Sequence, residues 1–259
     1  MKIETVILDW AGTTVDYGCM APVHAFFEAF KQYGIHVSTE EIREPMGRLK
    51  KDHIRYLLNL PNVLSQWRKK YSKEPDEADV EAIYHVFEEQ VFKGLSNYSK
   101  IKPNVLTVVA EIRALGISVG STTGYTREMM EVVRKTAENQ GYVPDYVVTP
   151  DEVSGFGRPY PYMIFANMQQ LKTTSVSHVV KVGDTVADIQ EGKHAGVKTI
   201  GIIAGSSLVG LTEEEEAQLS TEEKATLFQK VKETYYSAGA DYVIETIKDL
   251  PKVIKEIEN

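Results

Sequence analysis

Six short segments rich in Val and Ile constrain the fold of this 259-residue chain more than any other feature. Their nearly continuous apolar character is typical of strands that are buried on both faces. The six segments cover residues 3–8, 117–122, 145–149, 178–183, 198–204 and 240–245. Helical patterns lie between most of them. This alternation predicts an α/β fold built on a doubly wound, Rossmann-like parallel sheet.

Two of the intervening helices have recognisable ends. One apolar stripe predicts a helix that stops at Gly116. The stripe consists of Val105, Val108, Val109, Ile112 and Leu115. Pro159 is predicted to open another helix, because a residue in the first turn needs no partner for its backbone nitrogen.

Residues 18–99, called the cap segment below, differ from the rest because they contain no convincing strand pattern. Phe26, Phe27 and Phe30 lie on one helical face, and Ser38 with Glu41 forms a candidate capping box. We therefore predict an α/β core domain of residues 1–17 and 100–259, with a helical cap domain inserted after the first strand. Such a cap can exclude water from an active site. The alternative is a helical embellishment without a catalytic part.

Charge and composition exclude several classes of partner. The chain has 29 basic and 37 acidic side chains, a net charge of −8, and no basic patch, so nucleic acid is not an expected partner. Its single cysteine excludes an intrachain disulfide. No apolar run is long enough to cross a membrane, and no leader is recognised, so a cytoplasmic protein is expected.

The highly charged residues 212–238 are predicted to be solvated surface helices, with Thr212 and Ser220 as N-caps.

The first strand ends in Asp9, which is followed at once by Gly12, Thr13 and Thr14. Ligands of open α/β sheets bind at the carboxyl ends of the strands. A carboxylate there can act as a nucleophile, as a metal ligand, or as both. The alternative is an aspartate that only caps the following turn.

A second aspartate, Asp184, follows a later strand in the same way, with Asp188 one helical turn further on. Strand-terminal carboxylates of one parallel sheet can converge, and such oxygen ligands suit Mg²⁺. We predict that Asp9 and Asp184 bind Mg²⁺, with the backbone carbonyl of Ala11 as a third ligand. The alternative is that Asp184 and Asp188 serve the start of a helix.

Two loops can bind a phosphoryl group. The segment Ser121–Tyr125, which includes Thr123, ends the second strand with hydroxyl and N–H groups. Arg158 lies in a glycine-flanked loop and suits phosphate recognition. A simple Ser/Thr turn and a solvated arginine are the alternatives.

Lys50 and His53 in the cap segment lie three residues apart and share a helical face. A partly desolvated lysine can form an imine with a carbonyl substrate, and a nearby histidine can move the protons. Lys51 points about 100° away, so Lys50 is the better candidate. The residues by themselves favour the alternative, a surface lysine pair beside a solvent-facing histidine.

Taken together, these motifs resemble the phosphonoacetaldehyde hydrolases, or phosphonatases, of the haloacid dehalogenase superfamily. The resemblance covers nearly the whole chain, and its most specific part is the cap motif. It rests on Asp9-x-Ala11-Gly12-Thr13-Thr14, Met46-Gly47-x-x-Lys50-x-Asp52-His53, Gly157-Arg158-Pro159-Tyr160-Pro161, Lys181-Val182-Gly183-Asp184-Thr185 and Gly205-Ser206-Ser207 with Gly210-Leu211-Thr212.

The resemblance implies a role for each matched residue. Asp9 is the implied nucleophile, Lys50 forms a Schiff base and His53 carries its protons. Asp9, the Ala11 carbonyl and Asp184 hold Mg²⁺. The remaining implied residues lie near the substrate or directly behind the site: Met46, Gly47, Thr123, Tyr125, Arg158, Cys19, Thr13 and Asp188. The resemblance also implies a small-molecule phosphonate substrate and a homodimer formed through the cap, for which the Phe26, Phe27 and Phe30 face is one candidate.

Ala11 restricts the kinds of leaving group that the site can serve. The superfamily usually has a second aspartate at this position, which protonates an alkoxide leaving group. A methyl group cannot donate a proton, whereas cleavage of a C–P bond through an iminium needs no such donor. The sequence therefore predicts hydrolysis of phosphonoacetaldehyde to acetaldehyde and phosphate. The alternatives are a Mg²⁺-dependent phosphatase or mutase acting on a small phosphate ester, a non-catalytic binding protein, and a covalent dehalogenase.

Overall fold

The computed structural model describes residues 2–46 and 48–259. Six parallel strands form one sheet in the order β3-β2-β1-β4-β5-β6. The strands are β1 Thr5–Leu8, β2 Ser118–Thr122, β3 Tyr146–Val148, β4 Val179–Gly183, β5 Lys198–Ile202 and β6 Tyr242–Ile244. Helices flank the sheet, and the predicted doubly wound α/β fold is confirmed.

The described part of the cap segment consists of helices and their connecting loops and contains no strand. Its helices are α1 Met20–Gln32, α2 Thr39–Arg43, α3 Lys50–Leu58, α4 Pro61–Tyr71 and α5 Glu77–Tyr98. Ser38 and Glu41 form the predicted capping box at the start of α2. Phe26 and Phe30 are fully buried and belong to the same apolar cluster as the sheet residue Leu8. Burial within the chain thus accounts for these two rings, and the division into two domains stays a prediction.

Seven further helices complete the fold: α6 Val105–Ala114, α7 Arg127–Asn139, α8 Tyr162–Gln170, α9 Val186–Ala195, α10 Glu213–Gln218, α11 Thr221–Ser237 and α12 Leu250–Glu258. Helix α6 buries its predicted stripe except for the exposed Leu115. The predicted start of a helix at Pro159 is wrong. Pro159 lies in a turn closed by the Tyr160 N–H, which donates to the Gly157 carbonyl, and α8 begins at Tyr162.

The charged region after β5 is less exposed than its sequence suggests. Thr212 and Ser220 cap α10 and α11, as predicted. Glu216, however, is buried, because its carboxylate accepts a hydrogen bond from the Gly205 N–H at 3.0 Å and pairs with Lys224 at 2.9 Å. The prediction of solvated surface helices over this region is therefore wrong at Glu216, and also at Phe228, Val231 and Tyr235, which α11 buries. Across the described residues, every helix is too short or too polar to cross a membrane.

Strand register places the site residues at one edge of the sheet. Strand β1 lies between β2 and β4, and Leu8 is opposite both Ser121 and Val182. The residues that follow these positions therefore emerge side by side at the carboxyl edge. The chain runs outward in opposite directions from this point, which is where open α/β sheets form their ligand crevice.

Candidate active site

A small cavity lies between the carboxyl edge of the sheet and the cap segment. The space between its lining atoms, counted out to where it opens to solvent, is about 360 Å³. Nine of the sequence-predicted site residues line it: Asp9, Ala11, Cys19, Met46, Lys50, Thr123, Tyr125, Arg158 and Asp184. Pro22, Gly124 and Thr185, which were not predicted, also contribute. Gly47 lies outside the described residues.

Asp9 is held rigidly where β1 ends. Its backbone N–H donates to the Val182 carbonyl at 3.0 Å, and the Thr14 hydroxyl donates to the Asp9 carbonyl at 2.9 Å. Burial raises the pKa of the Asp9 carboxyl, and the nearby positive charge of Arg158 opposes this rise. The buried Thr13 lies behind the cavity, and its hydroxyl has no hydrogen-bond partner among the described residues.

Gly12 allows the two strand ends to approach each other. Its φ of +83° is in the left-handed region, and a Cβ atom there would lie 2.1 Å from the Asp184 Oδ2 atom. Any larger residue would collide with that carboxylate. The glycine in the sequence Asp-x-Ala-Gly is thus explained by sterics, because its missing side chain makes room for the Asp184 carboxylate.

Three buried carboxylates, those of Asp9, Asp184 and Asp188, have oxygen atoms within 4.8 Å of one another. Asp184 accepts a hydrogen bond from the Ser207 N–H at 2.7 Å, but its buried Oδ1 atom has no partner in the described chain. Burial, together with the charges of Asp9 and Asp188, raises the pKa of Asp184 to about 8. An unpaired oxygen beside neighbouring acids fits a divalent cation, which prefers such hard ligands.

Asp188 is neutralised by protein groups. Its carboxylate pairs with Lys181 at 2.8 Å and with Arg158 at 3.0 Å, and it accepts from the Thr185 hydroxyl at 2.6 Å. Burial alone would raise the pKa of Asp188, but the two cations lower it below its usual value. Because protein cations already neutralise Asp188, Asp9 and Asp184 are the better candidates for metal ligands. Asp188 is also absent from the described lining of the cavity.

Arg158 reaches inward from its loop to the end of β1. Its Nη2 atom lies 2.5 Å from the Asp9 Oδ1 atom and donates to the Thr122 carbonyl at 3.0 Å. Burial by itself would lower the pKa of the guanidinium, but the surrounding acids Asp188, Asp9 and Glu191 raise it. The side chain is therefore a permanent cation beside Asp9, which is the arrangement that a transferring phosphoryl group requires.

Sequence reasoning assigned no role to a buried ion pair below this cation, Lys181 with Glu191. Both side chains are fully buried. Two features of the sequence could have identified these residues. Lys181 is a charged residue within an apolar strand, and Glu191 lies three residues after Asp188 on the same helical face.

Lys50 begins helix α3 and faces the cavity. Its Nζ atom lies 5.9 Å from the ring centres of both Phe26 and Tyr125. Burial lowers the pKa of the amine, and the charge of Arg158 contributes to this lowering. Lys51, in contrast, forms an exposed ion pair with Glu81 at 2.7 Å, as the helical geometry predicts.

His53 lies behind the cavity wall and is absent from the described lining. It is fully buried and stacks on Phe26 with 3.9 Å between the ring centres. Neither ring nitrogen has a hydrogen-bond partner within the described chain. Burial lowers the pKa of His53 well below its usual value, and the charge of Lys50 lowers it further, so the ring is neutral. The alternative of a solvent-facing histidine is wrong.

The other cavity residues are largely apolar or neutral. Cys19 occupies the N-cap of α1 with a φ of +54°, and burial raises the pKa of its thiol. Met46 and Tyr125 are buried, and burial raises the pKa of the Tyr125 phenol. The Thr123 hydroxyl accepts a hydrogen bond from the Tyr125 N–H at 3.1 Å, which shapes the turn after β2.

Two further cations that sequence reasoning did not single out tie loops of the site together. The buried Lys102 donates to the carbonyls of Gly12 and Ala204. Arg43 of the cap segment donates to the Gly18 carbonyl at 2.9 Å and to the Ser207 carbonyl at 3.1 Å. These partners are more than 20 residues away in sequence, so no local pattern could have revealed them.

Comparisons with known proteins agree with this geometry. The family model described as haloacid dehalogenase-like hydrolase matches residues 3–196, and a related model described as hydrolase-like matches residues 155–250. Phosphonoacetaldehyde hydrolase of Bacillus cytotoxicus is 49% identical, with 100% of this chain and 97% of that protein covered. Its counterpart in Lysinibacillus sphaericus is 50% identical, with coverages of 99% and 96%.

Solved structures show the same relationship. A phosphonoacetaldehyde hydrolase-like protein from Oleispira antarctica is 37% identical and superimposes with a TM-score of 0.96, covering 99% of this chain and 93% of that one. A hydrolase from Pseudomonas syringae is only 16% identical and has a TM-score of 0.70, covering 98% and 99% of the two chains. This second similarity shows the fold alone.

Proposed function

Because the chain belongs to the haloacid dehalogenase-like hydrolases, and within them to the phosphonoacetaldehyde hydrolase family, we propose that it hydrolyses phosphonoacetaldehyde to acetaldehyde and phosphate. One observation carries this proposal. A lysine with a lowered pKa, Lys50, and a strand-terminal aspartate, Asp9, line the same small cavity. The first suits an aldehyde and the second suits a phosphoryl group.

Lys50 begins the reaction by condensing with the aldehyde carbon. Nucleophilic attack needs the neutral amine, and burial between two aromatic rings makes this form more accessible. Loss of water gives an iminium, whose positive nitrogen lies two bonds from the carbon that carries phosphorus. We propose that His53, whose neutral ring lies close to Lys50, carries protons for this step and for the final hydrolysis.

Asp9 then attacks phosphorus as carbon leaves. The electrons of the C–P bond form a C=C bond while the iminium electrons move to nitrogen, so the leaving group is a neutral enamine. No alkoxide forms, and Ala11 at the position of the usual acid is consistent with this. Water hydrolyses the aspartyl phosphate to phosphate. Protonation of the enamine carbon and hydrolysis of the imine release acetaldehyde and regenerate Lys50.

Negative charge on the transferring phosphoryl group needs nearby cations. Arg158 supplies one beside Asp9, and the Thr123 turn lies at the same end of the cavity. We propose that Asp9, Asp184 and the Ala11 carbonyl hold Mg²⁺, which supplies Lewis-acid stabilisation of phosphoryl oxygens when it is bound. The unpaired Asp184 oxygen and its raised pKa support a cation at this point.

Product analysis tests the proposal directly. Purified protein is mixed with Mg²⁺ and phosphonoacetaldehyde, and acetaldehyde and phosphate are counted in the same samples. We expect equal amounts of both and a loss of both when a chelator is added. Turnover of small phosphate esters without acetaldehyde release from the phosphonate would instead favour a phosphatase. An Ala11 side chain, which cannot protonate an alkoxide, argues against that outcome.

We also propose a homodimer formed through the cap segment. Phe26 and Phe30 are buried within the chain, so the contact uses other cap residues, such as the half-buried Phe27. Light scattering after size-exclusion chromatography tests this: a mass of twice 29.1 kDa is expected, and a mass of 29.1 kDa over the working concentration range contradicts it.

A further inference from the structure

A fully buried lysine–glutamate pair lies beneath the cavity without lining its described wall. Lys181 is on the central strand β4, and Glu191 is on helix α9. Burial of two charges carries a desolvation penalty of several kcal/mol per ion, and apolar side chains of similar size are often equally stable. Stability alone therefore gives no reason for charges at these positions.

The contacts of Glu191 are directed at the phosphoryl-binding arginine. Its Oε2 atom lies 3.1 Å from the Arg158 Nε atom, accepts from the Thr122 hydroxyl at 3.1 Å, and lies 3.3 Å from the Lys181 Nζ atom. Asp9 and Asp188 contact the other end of the guanidinium, at Nη2. The plane of Arg158 is thus fixed from two sides.

We propose that Glu191 is a positioning residue that orients Arg158 for phosphoryl binding, with Lys181 keeping Glu191 in place. This inference deepens the proposed function, because it rests on Arg158 as the phosphoryl-binding cation. Without a carboxylate at Nε, Asp9 and Asp188 are the only carboxylates that still hold the guanidinium by an ion pair in the described structure. The cation would then be drawn onto the nucleophile and away from the incoming phosphoryl oxygens.

Lys181 makes this arrangement electrostatically possible. Its amine lies 2.8 Å from Asp188 and 3.3 Å from Glu191, and it donates to the Thr122 hydroxyl at 2.8 Å. It therefore bridges the two acids that flank Arg158. A buried cation between two carboxylates offsets their mutual repulsion, so that both can lie beside the same guanidinium and hold it by charge-assisted hydrogen bonds.

Glu191→Gln tests the inference, because it removes the charge while keeping the size of the side chain. The probe is inorganic phosphate, titrated calorimetrically into the full-length protein with Mg²⁺ present. We expect phosphate affinity to fall about tenfold, as when the supporting partner of a binding residue is removed. Asp241→Asn is the matched control: it removes another ion-paired carboxylate, which holds Lys198 and Lys193 at 3.1 and 3.4 Å, and phosphate affinity should not change.

A double-mutant cycle separates positioning from a merely structural role. If Glu191 acts through Arg158, Glu191→Gln should have little further effect on phosphate affinity in an Arg158→Lys background, because the two losses are coupled. Equal losses in both backgrounds would overturn the inference. A lower melting temperature with unchanged phosphate affinity would overturn it as well.

A second variant allows the inference to be tested even if Glu191→Gln does not fold. The double substitution Lys181→Met with Glu191→Leu replaces the pair by apolar side chains of similar size, which buried ion pairs often tolerate. It should bind phosphate as weakly as Glu191→Gln does, and wild-type affinity would refute the inference. Phosphate binding involves no phosphonate, so failure of the wild type to release acetaldehyde refutes the proposed function separately.

Discussion

The two walls of the cavity differ in how ion pairing and burial shift the pKa values of their ionisable groups. At the sheet edge, most of the charged groups are ion-paired: Arg158 contacts Asp9, Asp188 and Glu191, and Lys181 contacts the last two. Asp184, the proposed metal ligand, is the exception. The ion pairs raise the pKa of the arginine and lower that of Asp188, so both remain ions despite their burial.

On the opposite wall, formed mainly by the cap segment, burial lowers the pKa values of the two bases Lys50 and His53. Lys50 lies between the rings of Phe26 and Tyr125, and burial lowers its pKa. His53 stacks on Phe26 without a hydrogen bond in the described structure, and its pKa is also lowered. Burial has this effect on bases, and for Lys50 it outweighs the opposing charges of Asp9 and Asp184.

This difference separates two kinds of chemistry within one small space. A phosphoryl group carries negative charge and needs fixed ions, which the sheet edge supplies. An aldehyde is neutral, and in the proposed reaction it needs a neutral amine, which the lowered pKa of Lys50 favours. A substrate with an aldehyde and a phosphonate on adjacent carbons matches both walls.

The largest effect is expected from Lys50→Arg, which keeps a positive charge on the cap wall but removes the nucleophilic amine. Turnover of phosphonoacetaldehyde should fall by about 10⁴-fold or more, as when a covalent nucleophile is lost. Borohydride trapping followed by mass spectrometry should detect an adduct on Lys50 only in proteins that retain it. Lys51→Arg is the control and should behave as wild type. An active Lys50→Arg protein would exclude the Schiff base.

A smaller loss is expected from His53→Phe, which preserves stacking on Phe26 but removes both ring nitrogens. Loss of a proton carrier generally reduces rates by about 10²- to 10⁴-fold, and we expect the lower end because the ring lies behind the wall. The rate of acetaldehyde release measures this. His36→Phe, at an exposed position of the cap segment, controls for the substitution itself. Unchanged turnover in His53→Phe would restrict His53 to packing.

On the sheet wall, Gly12→Ala should weaken Mg²⁺ binding about 10- to 100-fold, since the new methyl group displaces the Asp184 carboxylate. Calorimetric titration with Mg²⁺ checks this without any substrate. Gly116→Ala is the matched control, because Gly116 also has a positive φ of +78° but its added Cβ would meet no atom within 4 Å. Equal affinities in the two variants would show that Asp184 is not a ligand.

The smallest effect is expected from a change of pH without any substitution. A divalent cation competes with a proton for Asp184, whose pKa is raised to about 8 by burial and by Asp9 and Asp188. Below that pH one proton must leave for each cation bound, so Mg²⁺ affinity should decrease about tenfold per pH unit on acidification and level off above pH 8. Titrations in buffers of different ionisation enthalpy count the released proton. A pH-independent affinity between pH 6 and 8 would contradict the assignment.

Several features followed from the sequence because they depend on neighbours along the chain. The apolar strand segments predicted the sheet, and acids directly after two of them predicted the positions of Asp9 and Asp184. The angle between successive residues of a helix distinguished Lys50 from Lys51. Each of these inferences uses only local geometry, which a periodic pattern records.

Other features were missed or misplaced for one shared reason: their partners are distant in sequence. Pro159 was expected to open a helix, yet its loop turns so that the preceding Arg158 reaches Asp9. Glu216 reads as one acid of a solvated run, but it is buried against the Gly205 backbone. His53 reads as a surface residue, and packing on Phe26 buries it.

The sequence by itself determined the fold class and the strand ends that carry the acids, because short-range periodicity and steric rules govern them. The choice of Lys50 as a site residue came from the resemblance of its motif, since its local pattern favoured a surface position. Tertiary structure alone decided which charges are ion-paired and which bases have a lowered pKa. Burial and the distance between charges set a pKa, and both depend on contacts such as Lys181 with Glu191 or Lys50 with Tyr125, which form only when the chain is folded.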